Sequence, residues 1–153
     1  MKLLTLNAKG LGGWAKQLAL KRLVSSVKPN ILFIQESMIA GDTTISILKK
    51  LLIGWEFVSL DDVGLSRGQI TGWCSSCSLI NSYVVFSGLC KEIHSFELDW
   101  DLQLINVYDH YENKEAFWNS LWANSWIVPE KLIIGGDLNF TMARGKVWGT
   151  LPR

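Results

Sequence analysis

Four carboxylate and amide side chains follow short apolar runs in this sequence. Asn7 follows LLTL, Glu36 follows ILFIQ, and Asp137 and Asn139 follow LIIGG. A carboxylate at the end of a buried strand requires solvent, hydrogen bonds or a cation, because burying an unpaired charge costs several kcal/mol. Oxygen ligands without histidine or thiolate suit Mg²⁺ or Mn²⁺ better than zinc. The pattern therefore predicts a site for a hard divalent cation.

Each of these residues taken alone also fits an ordinary structural role. A single Asp or Glu after a strand is often a helix cap or a solvated loop carboxylate. The combined pattern favours a site, because the two glycines of GGDLN allow the backbone to approach a ligand closely just before Asp137. The string GGDLN is thus more specific than any one of its residues.

The elements that position two of these residues form a predicted βαβ unit. Residues 2–7 have the length and apolar content of a strand, and residues 14–27 show the i, i+3, i+4, i+7 period of an amphipathic helix. Residues 31–34 are a continuous apolar run, typical of a strand buried on both faces. A right-handed crossover makes the two strands parallel, which places Asn7 and Glu36 at the same edge of a sheet.

The remaining elements follow from apolar periodicity and turn residues. Four consecutive strands are predicted to form an antiparallel meander, since they are short, rich in β-branched or aromatic residues and separated by Asn, Ser, Gly and Asp. The full set is a helix over 42–52, a strand over 55–60, a turn over 64–68, meander strands over 69–75, 83–87, 93–98 and 102–107, a helix over 114–126 and a strand over 132–134.

The bulk properties indicate one domain with an unusually apolar composition. The chain has 153 residues, of which 48% are hydrophobic and 19% charged, and its mean hydropathy is +0.18. No run reaches the roughly 18 apolar residues of a membrane span, and the N-terminus does not read as a signal peptide. We therefore expect an intracellular protein, nuclear or cytoplasmic, without a membrane partner. The apolar excess suggests surface that further polypeptide normally covers.

Charge does not decide the question of a nucleic-acid partner. A net charge of +1 gives no global attraction to phosphate, yet it does not exclude local contacts. Three tryptophans, Trp118, Trp122 and Trp126, recur at i, i+4 and i+8 of the last predicted helix. Such a stripe is typical of packing, although exposed aromatics also serve as stacking platforms for bases.

The three cysteines are an odd number in a chain without a secretory signal, which makes a disulfide framework improbable. Cys74 and Cys77 form a C-x-x-C pair within the strand-like run ITGWCSSCSLI. The pair has the spacing of half a zinc site or of a redox pair, but no second ligand pair follows. We interpret these residues chiefly as buried or half-buried thiols.

Four segments in order, LTLNAKGLG, ILFIQES, INVYDHYE and LIIGGDLN, resemble the endonuclease/exonuclease/phosphatase superfamily. RGQITGW, LINSY and AFWNSLW are similar to the endonuclease domain of plant LINE-type (non-LTR) retrotransposons. The resemblance implies an α/β (α+β) fold, a four-layered sandwich with two mixed sheets. It also implies a Mg²⁺-dependent hydrolase acting on DNA, for which Mn²⁺ could substitute.

The resemblance also implies a role for each matching residue. Glu36 matches the metal-ligand glutamate of the family, and Asn7 matches the asparagine beside the metal. Asp137 matches the aspartate that orients or activates the attacking water. Asn139 matches the asparagine that contacts the scissile phosphate, and Tyr108 matches the tyrosine near that phosphate.

Several residues depart from the family pattern. Asp109 and His110 stand where the family has Gly-Pro, and Lys9 stands where arginine is frequent. Lys9 and His110 are the further candidates for contact with substrate. His94 lies in a strand pattern and is expected to be a surface or half-buried residue.

The family also carries a late Ser-Asp-His segment, which this sequence does not contain. We therefore expect residues 1–153 to be a partial domain, the N-terminal two-thirds, incomplete at its C-terminus and poor or inactive in hydrolysis. Two alternatives remain open. One is a non-catalytic remnant that binds nucleic acid or another partner, and the other is a phosphatase of the same superfamily acting on a small phosphoester or a lipid headgroup.

Overall fold

The computed structural model describes residues 1–60, 68–85, 88–108 and 114–138. A one-turn 3-10 helix, Pro129–Lys131, precedes the last strand. None of the helices in these ranges has the length and apolar character needed to cross a bilayer. The strands are β1 Leu3–Asn7, β2 Ile31–Gln35, β3 Trp55–Leu60, β4 Gln69–Cys74, β5 Cys77–Val85, β6 Gly88–Ser95, β7 Trp100–Tyr108 and β8 Leu132–Asp137, and the helices are α1 Trp14–Val27, α2 Gly41–Leu51 and α3 Lys114–Trp122.

The strands form two four-stranded mixed sheets. Sheet A has the order β1-β2-β4-β3, and sheet B has the order β5-β6-β7-β8. In sheet A, β1 and β2 are parallel, and β4 is antiparallel to β2 and β3. In sheet B, β5, β6 and β7 form an antiparallel meander, and β8 lies parallel to β7. The predicted βαβ unit and the two mixed sheets are confirmed.

Three hydrophobic clusters connect the layers of the sandwich. The first joins α1 and α2 to the outer face of sheet A, the second fills the space between the sheets, and the third joins α3 to the outer face of sheet B. Strand β2 shows the alternation that this requires: Leu32 and Ile34 face the helices, whereas Ile31 and Phe33 face sheet B. The molecule is therefore a four-layered α/β sandwich.

The prediction of a four-stranded meander was wrong, because β4 belongs to sheet A. Residues Gln69 to Trp73 are all buried, as expected for a strand with neighbours on both sides and covered faces. The turn between Cys74 and Cys77 carries the chain from one sheet to the other. Strand β5 also begins at Cys77 instead of residue 83; its polar residues Asn81 and Ser82 are accommodated because they are exposed on an edge strand.

Helix α3 ends at Trp122, four residues before its predicted end. The Asn124 side-chain nitrogen donates to two carbonyl oxygens of the last turn, at 2.7 and 3.3 Å, which satisfies groups that the helix leaves unpaired.

Trp126 lies beyond the helix and stacks on Tyr83 at 4.4 Å. Trp118 packs against the third cluster, but Trp122 is 55% exposed. The packing interpretation thus holds for two of the three tryptophans.

Candidate functional site

Three of the predicted site residues meet at one edge of the sandwich. The Asn7 amide nitrogen donates to Glu36 Oε1 at 2.9 Å and to Asp137 Oδ2 at 2.7 Å. Asn7 and Glu36 come from sheet A, whereas Asp137 ends β8 of sheet B. One neutral amide therefore links two carboxylates from the two sheets.

The parallel strands and two glycines bring these residues together. Asn7 and Gln35 are the last paired residues of β1 and β2, so Glu36 follows immediately after this pair. Gly135 faces sheet A, where an added Cβ would lie 3.0 Å from the Phe33 ring. Because Gly135 has no side chain, β8 approaches sheet A closely enough for Asp137 to reach Asn7.

The backbone around Glu36 is held by three hydrogen bonds to two neighbouring segments. Gly10 N donates to Glu36 O at 2.7 Å, Leu11 N donates to Ser37 O at 2.9 Å, and Ser37 N donates to Gly68 O at 3.2 Å. Glu36 has a φ of 53°, in the left-handed region that non-glycine residues rarely adopt. Such a conformation persists where the surroundings enforce it and is frequent at functional sites.

The orientation of the Asn7 amide is fixed from its other side. Lys9 N donates to Asn7 Oδ1 at 3.2 Å, so the nitrogen of the amide faces the carboxylates. Lys9 itself is exposed, with a φ of 45°. Its carbonyl oxygen accepts a hydrogen bond from the Lys16 ammonium group, which also donates to Ala8 O at 3.2 Å. The loop that adjoins the carboxylates thus carries Lys9, and the Lys16 ammonium group of α1 contacts that loop.

A buried polar network beneath the carboxylates was not predicted from the sequence. Gln35 Nε2 donates to Asn106 Oδ1 at 2.6 Å, and Asn106 Nδ2 donates to Ile70 O at 2.9 Å and to Ile34 O at 3.3 Å. Both amide side chains are about 1% exposed. Their signal in the sequence is a glutamine and an asparagine inside otherwise apolar strands, a pattern that predicts a pair of mutually satisfied buried amides.

Tyr108 ends β7 in register with Asp137 of the adjacent strand. Paired residues of neighbouring strands present their side chains on the same face of a sheet, so Tyr108 shares the face of Asp137. The side-chain amide of Gln69 connects two backbone groups. Its oxygen accepts from Tyr108 N at 3.0 Å, and its nitrogen donates to Asn106 O at 3.1 Å. Tyr108 is 8% exposed.

The other predicted residues are placed elsewhere or lie outside the described ranges. His94 lies on β6 beside the N-terminal end of β7, with its Nδ1 2.8 Å from Asp101 Oδ1 and its Nε2 3.7 Å from Asp99 Oδ1. It is a half-buried strand residue, as the sequence predicted. Asn139 and His110 lie outside the described residues.

The donors present at this edge fit a hard cation. In the described part of the chain, no group of three or more His, Cys, Asp or Glu side chains is arranged to hold a metal ion. The edge offers two carboxylates, oriented by the Asn7 amide nitrogen, without a histidine or thiolate to favour zinc. Mg²⁺ is often bound by one or two carboxylates and keeps several waters, so this small donor set suits Mg²⁺ or Mn²⁺.

The sequence matches no protein-family model and no curated protein, but its fold matches solved structures. A humanized form of D. rerio TDP2 is 17% identical, with a TM-score of 0.69 over 92% of this chain and 66% of that chain. An endonuclease/exonuclease/phosphatase family protein from Bacteroides thetaiotaomicron is 13% identical, with a TM-score of 0.67 over 90% and 62% of the two chains. The endonuclease domain of TRAS1, a telomere-specific non-LTR retrotransposon, is 18% identical, with a TM-score of 0.66 over 92% and 61%.

These similarities show that the chain has the fold of the endonuclease/exonuclease/phosphatase superfamily. The chain spans between 61% and 66% of the length of the three structures.

Proposed function

We propose that this chain is a metal-dependent phosphodiester hydrolase-like domain that acts on DNA, related to the endonuclease of a plant LINE-type retrotransposon. The observation that carries the proposal is the pair of hydrogen bonds from the Asn7 amide nitrogen to Glu36 and Asp137. These residues match three motifs of the family and meet at the shared edge of the two sheets.

The charges at this edge favour a divalent cation. Two carboxylate oxygens contact the same amide nitrogen, so they lie no further apart than the sum of 2.9 and 2.7 Å. The amide is neutral and therefore orients the two carboxylates without offsetting their charges. A cation bound beside them would offset that repulsion, since like charges at such a separation disfavour each other strongly.

In this proposal Glu36 is the principal ligand of Mg²⁺ or Mn²⁺, and Asn7 supports it. The bound ion would supply Lewis-acid stabilisation of charge on the phosphoryl oxygens. Asp137 orients the attacking water and accepts its proton, and the Tyr108 hydroxyl donates to a phosphate oxygen. Asn139 is proposed to contact the scissile phosphate through its amide.

DNA is the substrate that the comparisons favour. TRAS1 belongs to a non-LTR retrotransposon, and a second structure of D. rerio TDP2 is complexed with a single strand DNA product. Lys9 of the loop beside the carboxylates, and Lys16 of α1 whose ammonium group contacts that loop, suit phosphate contacts. His110 and Lys9 remain the proposed further contacts with substrate.

We also propose that residues 1–153 are the N-terminal two-thirds of a domain and that this chain turns over slowly. Hydrolysis of a phosphodiester is accelerated by positioned proton-transfer groups, of which histidine is the most frequent. In the described ranges the histidine is His94, which lies with Asp101 at the far end of β7 from Asp137.

Binding of a labelled oligonucleotide, followed by fluorescence anisotropy with Mg²⁺ or with EDTA, tests this proposal. We expect Mg²⁺ to tighten binding, and we expect Glu36→Gln and Asp137→Asn to reduce that gain about tenfold or more. Asp101→Asn is the matched control, because it removes a carboxylate that contacts His94 at the other end of the sheet.

Equal responses to Mg²⁺ in the wild type and both site variants would contradict the proposed site. Cleavage of supercoiled plasmid is measured on the same samples. Cleavage that disappears in Glu36→Gln and Asp137→Asn would support the site but contradict slow turnover. Cleavage that persists in both variants would contradict the assigned roles.

A further inference from the structure

We propose that Cys74 and Cys77 are a reversible dithiol–disulfide pair that reacts with small-molecule disulfides of the glutathione class. The two thiols flank the two-residue turn that connects β4 of sheet A to β5 of sheet B. The Ser76 hydroxyl lies 3.0 Å from Cys74 Sγ and 3.8 Å from Cys77 Sγ. Both sulfur atoms therefore lie close to the same hydroxyl oxygen.

The turn that carries the thiols is fixed by hydrogen bonds to neighbouring segments. Asn30 Nδ2 donates to Ser76 Oγ at 2.8 Å, and Cys74 N donates to Asn30 O at 3.0 Å. Phe96 N donates to Ser76 O at 2.9 Å. Residues i and i+3 of a β-turn have Cα atoms within about 7 Å, which overlaps the range that a disulfide requires. The spacing of the turn is thus compatible with a disulfide between the two cysteines.

The two thiols differ in their access to solvent. Cys74 is half-buried and lines an open groove of about 460 Å³. The groove is also lined by Lys21 of α1, by Lys28 at the C-terminal end of α1, and by Trp55. Their ammonium groups suit a disulfide that carries carboxylates, as oxidised glutathione does. Cys77 is 6% exposed, and burial raises the pKa of its thiol. Cys74 is therefore assigned the attacking role and Cys77 the resolving role.

The proposed reaction is balanced in two steps. Cys74 loses its proton to water and attacks one sulfur of the small disulfide, forming a mixed disulfide and releasing one small thiolate. Cys77 then loses its proton and attacks the Cys74 sulfur, forming the Cys74–Cys77 bond and releasing the second thiolate. The two protein thiols lose two electrons in total, and the small disulfide gains them.

The third cysteine provides an internal control. Cys90 is fully buried in the cluster that joins α3 to sheet B. Burial raises the pKa of its thiol to about 12, with the charge of Glu92 as the next contribution. Cys90 is therefore expected to stay reduced while the protein remains folded.

Intact mass and peptide mapping after treatment with oxidised glutathione test the proposal. The wild type should lose two hydrogen atoms, with the bond mapped to Cys74 and Cys77. Cys77→Ser should stop at one glutathione on Cys74, Cys74→Ser should react at least about tenfold more slowly, and Cys90→Ser should behave as the wild type. A stable glutathione adduct on the wild type, or modification of Cys90 as fast as Cys74, would overturn the proposal.

Phenylarsine oxide provides a second test, which uses the wild-type protein. This trivalent arsenical is chelated by two neighbouring thiols. One equivalent should bind the reduced wild type tightly and protect both Cys74 and Cys77 from alkylation. Alkylation of both thiols at an unchanged rate would contradict the pairing, whether or not the variants fold.

Discussion

Glu36 combines three properties that an ordinary surface carboxylate does not have. Its side chain is 7% exposed, its φ is 53°, and its Oε1 accepts from the Asn7 amide that also contacts Asp137. The surrounding backbone hydrogen bonds hold this conformation, so the carboxylate is positioned before any ligand arrives. At the scale of single residues, the Asn7 amide and the backbone hydrogen bonds preorganise the site.

Lys91 is a second buried charged group, and it makes stability depend on pH. It pairs with Leu104, whose side chain lies between the sheets, and its ammonium group donates to Ser82 Oγ at 2.6 Å. Burial lowers the pKa of Lys91 below its usual 10.5. The folded protein therefore releases this proton at a lower pH than the unfolded chain, and stability rises with pH between the lowered value and 10.5.

Lys91→Met should consequently raise the free energy of unfolding at pH 7 by about 1 kcal/mol or more, because it removes a buried charge. The gain should shrink as pH approaches 10.5, where the wild type is no longer penalised. Urea unfolding at pH 7 and pH 10 measures both values, with the exposed Lys50→Met as control. A Met variant that is less stable than the wild type at pH 7 would show that the ammonium group is stabilising.

At the scale of elements, the sequence predicted best those segments whose burial pattern is local. Helix α1 and strand β3 have their predicted bounds, since an amphipathic period and a short β-rich run each specify one element. Strand β4 was predicted as a strand but assigned to the wrong sheet, because its apolar pattern does not encode its partners. The end of α3 was missed because a side chain, Asn124, replaces the helix bonds there.

Gly136 determines how β8 delivers Asp137 to the site. Its φ is +139°, and an added Cβ would lie 1.9 Å from Val107 O of the adjacent strand. We expect Gly136→Ala to destabilise the protein by about 2 kcal/mol or more. Alanine at this φ is strained, and its Cβ would overlap the backbone of Val107. Thermal unfolding measures this, with Gly13→Ala as control because its Cβ would meet nothing within 4 Å. Similar melting temperatures for the two variants would contradict this role of Gly136.

At the scale of the whole molecule, the site depends on how the two sheets are joined. The family resemblance implied the sandwich, and the βαβ pattern of the sequence placed Asn7 and Glu36 at one edge through the parallel β1–β2 pair. The approach of Asp137 from sheet B was expected from the family motifs, because local pattern does not specify contacts between sheets. The buried amides of Gln35 and Asn106, which connect the sheets beneath the site, were not predicted.

Asn106→Ala should therefore weaken the whole sandwich. The change leaves the carbonyl oxygens of Ile34 and Ile70 without the Asn106 donor and removes the acceptor of Gln35. We expect a loss of about 2–4 kcal/mol in the free energy of unfolding. Urea unfolding followed by far-ultraviolet circular dichroism measures it, and the exposed Asn119→Ala on α3 should change stability little. Equal stability of both variants would mean that the network does not hold the sheets together.

The central claim is that the carboxylates linked by Asn7 hold a divalent cation, and direct Mn²⁺ binding tests it most directly. Mn²⁺ replaces Mg²⁺ at oxygen sites and reports its own binding by electron paramagnetic resonance. We expect the wild type to bind one Mn²⁺ per chain, and we expect Mg²⁺ to displace it. The affinity for Mn²⁺ should fall at least about tenfold in Glu36→Gln and Asp137→Asn and should stay unchanged in Asp101→Asn. Mn²⁺ binding of equal strength in the wild type and both site variants, or no binding by the folded wild type, would contradict the claim.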